Sequence, residues 1–122
     1  MEDKYVRVMC DFCADGVWSK EGAICSDELP ITADLAEKLR DWNWLYDLWY
    51  DDEDRSSWVA DGFGPDEFTA TGLELAKEIK RQLPDWEVVF HDEMAWDRAA
   101  ALEYKTGEKQ DLDGERFEFA IE

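Results

Sequence analysis

Residues 32–58 read TADLAEKLRDWNWLYDLWYDDEDRSSW. At 100° per residue, Leu35, Leu39, Trp42, Tyr46 and Trp49 fall into one narrow stripe, the mark of a helix that buries one face. Thr32 is placed to cap this helix and Asp34 to complement its dipole. Trp44 projects to the opposite side with Leu48 near it, and Glu37, Asp41 and Asp47 surround them. The chain then runs into Asp51, Asp52, Glu53 and Asp54. One element thus carries a core seam and, on its outer side, an aromatic ringed by carboxylates. Two readings of that outer side stand: a partner-binding face, or side chains covered by the loop that follows.

Downstream, residues 50–64 read as a long loop closed by Gly62, Gly64 and Pro65, and Pro65 suits the first turn of a second helix. Phe68, Gly72, Leu75 and Ile79 form its stripe, with Leu83 at the edge and Pro84 as the stop. Gly72 inside a stripe costs roughly 1 kcal/mol of helix stability against Ala, which suits a site of close packing. Lys77, Lys80 and Arg81 fall on the far side, toward the end where cations are favoured. The periodicity predicts helices near 33–49 and 66–83.

The flanks alternate with period two. Val6, Val8, Cys10 and Phe12 share one face of a strand near 4–12, and Tyr5, Arg7, Met9 and Asp11 share the other. Asp15-Gly16 reads as a tight hairpin turn, with Val17-Trp18-Ser19 returning. Glu21-Gly22 marks another turn before a short strand at Ala23-Ile24-Cys25, and Pro30 ends the segment. Trp86, Val88 and Phe90 alternate with Glu87, Val89 and His91 in a strand over 86–91. Residues 94–106 fit either a short helix or a helical turn before a strand. Asp113-Gly114 marks a turn, and Phe117, Phe119 and Ile121 alternate in a last strand over 115–121. Strands from both chain ends with helices between them predict an α+β two-layer fold in one domain, 1–122. Its sheet is open and mostly antiparallel, with the two central helices packed on one face.

The chain has 32 acidic against 13 basic residues, a net charge of −19 and seven tryptophans. The aromatic content separates it from disordered acidic tails, and a core this small does not easily hide seven indoles. Of the four segments 1–40, 41–67, 68–84 and 85–122, only 68–84 carries more cations than anions. The charge disfavours nucleic acid and anionic membrane as partners and favours a basic protein, a cation, or solubility alone. Three cysteines, Cys10, Cys13 and Cys25, argue against a disulfide framework and for a reducing compartment. MEDKYVRV has no long apolar run, so neither a signal peptide nor a membrane span is expected, and the location expected is cytoplasmic.

Catalytic and metal motifs are weak. Cys10 and Cys13 are spaced as a C-x-x-C, but in a regular strand they point to opposite faces, and a second ligand pair is needed. Asp51–Asp54 and Asp111-Leu-Asp113-Gly114 lack the ligand spacing of a calcium loop and read as solvated acidic loops. His91, with Asp92 or Glu87, is the one candidate acid–base pair, and no nucleophile motif or phosphate loop accompanies it. No catalytic residue, cofactor or metal is therefore expected. The positive expectation is a partner-binding face of Asp41, Trp44, Asp47, Asp51, Asp52, Glu53, Asp54 and Trp58. Its indoles would anchor and its carboxylates would steer a basic protein.

The arrangement DGVWSKEGAICSDELPIT, an acidic Trp-rich helix and loop, then GLELAKEIKRQLPDWEVVFHDE resembles small acidic bacterial proteins. In size, charge and α+β layout the chain is also similar to immunity proteins of polymorphic and contact-dependent toxin systems. That resemblance implies a non-enzymatic protein that neutralises a cognate toxin, and the acidic surface suits a toxin of nuclease type, whose active site is built basic to hold phosphate. It transfers no functional residue. A nucleic-acid mimic that inhibits a DNA- or RNA-handling enzyme, of the anti-restriction or anti-CRISPR kind, uses the same physics. A homodimer seam would also account for an exposed tryptophan patch.

Overall fold

Both long helices form where their stripes place them. The computed structural model describes residues 4–11, 14–51 and 65–122. Helix α1 spans Ala33–Asp51 and α2 spans Pro65–Gln82. Thr32 caps α1: its hydroxyl oxygen accepts from the Leu35 amide at 3.2 Å. The start of α1 is tied to the end of α2 by the Thr32 amide, which donates to Gln82 Oε1 at 2.9 Å. The two helices therefore run antiparallel. The sheet has five strands in the order β3-β2-β1-β4-β5, with β1 at Tyr5–Val8, β2 at Val17–Ser19, β3 at Gly22–Ile24, β4 at Glu87–His91 and β5 at Glu118–Ile121.

Three of the four pairings are antiparallel, as expected. The central one, β1 with β4, is parallel, with Tyr5 opposite Glu87 and Val8 opposite Phe90. Because β4 has a partner on each side, its middle is a continuous apolar run. Val6, Val8, Val17, Val88, Phe90 and Ile121 line the helix-facing side of the sheet. They meet Leu35, Leu39, Trp42 and Tyr46 of α1 and Phe68, Leu75, Ala76 and Ile79 of α2 in one buried cluster. The side chain of Trp49, the last member of the α1 stripe, is outside the described residues.

Four sequence expectations need correction. Asp15-Gly16 is not a two-residue hairpin turn. The β1–β2 ladder reaches Met9, whose amide donates to Gly16 O at 3.0 Å, and the connection is long. The Asp15 carboxylate instead accepts from the Ser26 amide at 2.9 Å, and Gly16, at φ 84°, lies where an added Cβ would sit 3.2 Å from the Trp42 ring. The tight turn is Lys20-Glu21, since Ser19 pairs with Gly22. Second, β1 ends at Val8 rather than near residue 12. Third, of the two readings open for residues 94–106 the helix holds: α3 spans Glu93–Thr106, giving the described chain three helices where the layout expected two. Asp92 caps α3 by accepting from the Ala95 amide at 3.0 Å, and Gly107 ends it at φ 74°. Its only buried side chain is Met94, which is why no stripe announced it. Fourth, β5 begins at Glu118, because Gly114–Phe117 form a 3-10 turn first.

Candidate functional site

On α1, side chains off the core stripe form a second stripe. Glu37 and Asp41 are exposed in its first half. Trp44 at 61% exposure, Leu45 at 37% and Leu48 at 44% continue it. Residues 37, 41, 44, 45 and 48 share one side because 41 lies four after 37, 44 and 45 lie three and four after 41, and 48 lies four and three after those two. The stripe therefore changes from acidic to apolar along the helix. Asp47 is half-buried.

Between this stripe and α2 lies an open hollow of about 400 Å³. Trp42 and Leu75 line it from the core side, Trp44, Leu45 and Thr71 form its sides, and Lys38 and Asp41 complete the rim. Trp42 is held from three directions. Its Nε1 donates to Phe68 O at 2.9 Å, its ring stacks on Phe68 at 4.7 Å between centroids, and Gly72 lies against its edge. Next to Trp42, Asn43 is fully buried. Its carboxamide accepts from the Asp11 amide and donates to Asp11 O, both at 3.0 Å, as a neighbouring strand would. Asn43 thereby braces the loop after β1 against the helix that displays Trp44. Its spacing, four after Leu39 and three before Tyr46, was the signal for a buried position.

The structure thus brings Asp41 and Trp44 together on one side of α1. Asp51 is the last residue of the helix, but its side chain is outside the described residues. Asp52, Glu53, Asp54 and Trp58 lie outside them altogether, as does Cys13. Cys10 is buried and Cys25 exposed, both as free thiols. Burial, with Glu93 and Asp97 adding to it, pushes the Cys10 thiol well up and holds it protonated. Among the described residues no group of His, Cys, Asp or Glu is arranged to hold a metal ion, and no helix is long and apolar enough to cross a membrane.

His91 takes other partners than Asp92 or Glu87. It is 5% exposed. Its Nε2 lies 2.8 Å from Glu93 Oε2, on the first residue of α3, and its Nδ1 lies 3.0 Å from Glu118 Oε2, on the first residue of β5. Arg7 of β1 approaches the same Glu118 oxygen at 3.7 Å. Only the doubly protonated imidazolium donates from both nitrogens. Burial works against that charge and is outweighed by the two carboxylates, so the His91 pKa is raised. The arrangement is a joint fastening α3 and β5 to β4. Because the folded pKa lies above the unfolded one, the stabilisation is complete below the ordinary value of 6.5 and is lost as pH rises through the folded pKa. Unfolding free energy from urea titrations is expected to fall as pH rises above the ordinary histidine value of 6.5, and His91→Gln is expected to flatten that slope. An unchanged slope in the variant would assign the pH dependence to other groups.

Fold and surface together define a small acidic α+β protein that displays aromatic and aliphatic side chains on an outer helix face. Residues 4–93 match the family described as Serratia CdiI immunity protein-like. The chain belongs to that family, which bears out the resemblance drawn from the sequence and supports a toxin-neutralising immunity role. The matched span runs from β1 into the first residue of α3 and so contains α1, α2 and the hollow between them. No curated protein matches the chain.

Proposed function

We propose that the chain is an immunity protein that acts in the cytoplasm by covering the basic, nucleic-acid-binding surface of a cognate nuclease-type toxin with the outer side of α1. The observation that carries this reading is Trp44, 61% exposed beside Leu45 and Leu48 and following Glu37 and Asp41 on the same stripe. A nuclease is built cationic to hold phosphate. A partner of net charge −19 speeds encounter with such a surface, and a desolvated indole retards separation. Inhibition of this kind needs no chemistry from the immunity protein: occupying the phosphate-binding surface excludes substrate. The sequence offers the carboxylates of Asp47, Asp51, Asp52, Glu53 and Asp54, and Trp58 as a second anchor, for the same partner.

The test is capture of the partner on the tagged chain in its native host, identification by mass spectrometry, and assay of the purified partner on DNA and RNA. A basic nuclease silenced by one equivalent of the chain is the expected result. A captured partner without nuclease activity would refute the nuclease-type assignment, and an active nuclease left unaffected by the chain would refute the immunity role.

A further inference from the structure

The hollow beside Trp44 continues in both directions along the α1–α2 pair. Toward the start of α1 it shares Lys38 and Leu75 with a second hollow of about 270 Å³, which reaches Thr32 and Gln82. Toward the start of α2 it shares Trp42, Leu45 and Thr71 with a third of about 120 Å³, which reaches Glu67 and Phe68. Together they trace a groove from Thr32 to Leu45 of α1, about 20 Å at the helical rise.

Polarity along the groove is not uniform. Its middle is Trp42, Leu45 and Leu75. Its first end is lined by Asp34, Glu74 and Glu78, and Glu67 lines its other end. The two cations on the lining are each engaged by an acid of their own helix, Lys38 by Asp34 at 3.1 Å and Arg81 by Glu78 at 2.7 Å, and Glu74 pairs with Lys77, outside the lining, at 3.5 Å. Acids outnumber bases along the whole lining, and both ends are acidic around an apolar centre.

We infer that this groove receives a single segment of the toxin, with one large apolar side chain seated over Trp42 and Leu75 and a Lys or Arg on each side of it. The inference rests on the immunity reading above and adds α2 to the binding face. Charge complementarity selects the occupant: the carboxylates at each end suit flanking cations, and the centre suits an apolar anchor, as in the helix-in-groove mode of recognition. A second copy of this chain, itself at −19, is the less favourable occupant.

The test uses the captured toxin and measures binding kinetics for three variants, with circular dichroism and melting as folding controls. Thr71→Trp fills the central hollow from an exposed position on α2. Glu74→Lys with Glu78→Lys reverses the first end; both are surface acids in ion pairs that contribute little to stability. Trp44→Ala reports on the outer side of α1. At least a tenfold rise in Kd is expected for Thr71→Trp and for the double reversal, with folding intact. If Trp44→Ala weakens binding but neither α2 variant does, the groove assignment falls while the α1 face stands. If none of the three weakens binding, the face itself is wrong. A free chain that is dimeric, and becomes monomeric on Thr71→Trp, would give the groove to a second copy and overturn the assignment.

Discussion

Replacing Gly72 with alanine is expected to destabilise the protein by about 2–3 kcal/mol, the scale of an overpacked core. A Cβ at this position would lie 2.7 Å from Trp42 Cε2, closer still to Trp42 Cζ2, and 3.0 Å from Phe90 Cε1. Alanine is the better helix former by roughly 1 kcal/mol, so the sign is decided by whether the indole can retreat. It is pinned by its hydrogen bond to Phe68 O, by stacking on Phe68, and by Gly16 on the ring's other contact. Retreat would break that bond and disturb β4 through Phe90. The melting temperature is expected to fall by about 10 °C for a domain of this size. Trp42→Phe, which removes the colliding ring edge, should recover part of that loss in the double variant, and this non-additivity identifies the contact. A Gly72→Ala protein as stable as the parent would show that the indole moves freely and that helix propensity prevails.

Trp44→Ala is expected to raise the toxin Kd about 30-fold or more, corresponding to ~2 kcal/mol, the scale of an interface hot spot. The loss should be in the dissociation rate, because the charges that govern encounter are untouched. Asp41→Lys should act in the opposite way, slowing association and weakening its salt dependence. Neither change should shift the melting temperature appreciably, since both side chains are exposed and exposed substitutions usually stay within about 0.5 kcal/mol. Surface plasmon resonance at two salt concentrations separates the two rates. If Trp44→Ala instead lowers the melting temperature substantially, Trp44 packs against the protein's own chain, and the covered-loop reading is correct.

The helices were legible because their stripes are carried by residues that each satisfy a local period. Leu35, Leu39, Trp42 and Tyr46 belong to one helix, Phe68, Gly72, Leu75 and Ile79 to the other, and Pro65 and Pro84 mark the limits of the second. The same projection put Trp44 and Leu48 off the core stripe and left open whether the following loop covers them. What was not legible depends on residues distant in sequence. Asp15-Gly16 has the local chemistry of a tight turn, but Ser26 and Trp42 decide its use. His91 has two acids nearby, yet its second partner, Glu118, comes from another strand. The groove requires two antiparallel helices to be laid side by side, and no single stripe predicts a cavity between them. Residues 94–106 stayed open between a helix and a helical turn because Met94 alone is buried along α3, so no stripe decided between them.

The parallel pairing of β1 with β4 also sets the order in which the molecule can be completed. Tyr5 meets Glu87, so most of the chain lies between the two central strands. During synthesis β1 waits with its inner edge unpaired until α2 and then β4 have left the ribosome, and long-range closures of this kind are intrinsically slow. Over that interval an unpaired β1 edge is open to pairing with other chains. The sheet beneath the helix bearing Trp44 is therefore completed only after synthesis has passed β4, well after that helix has been made.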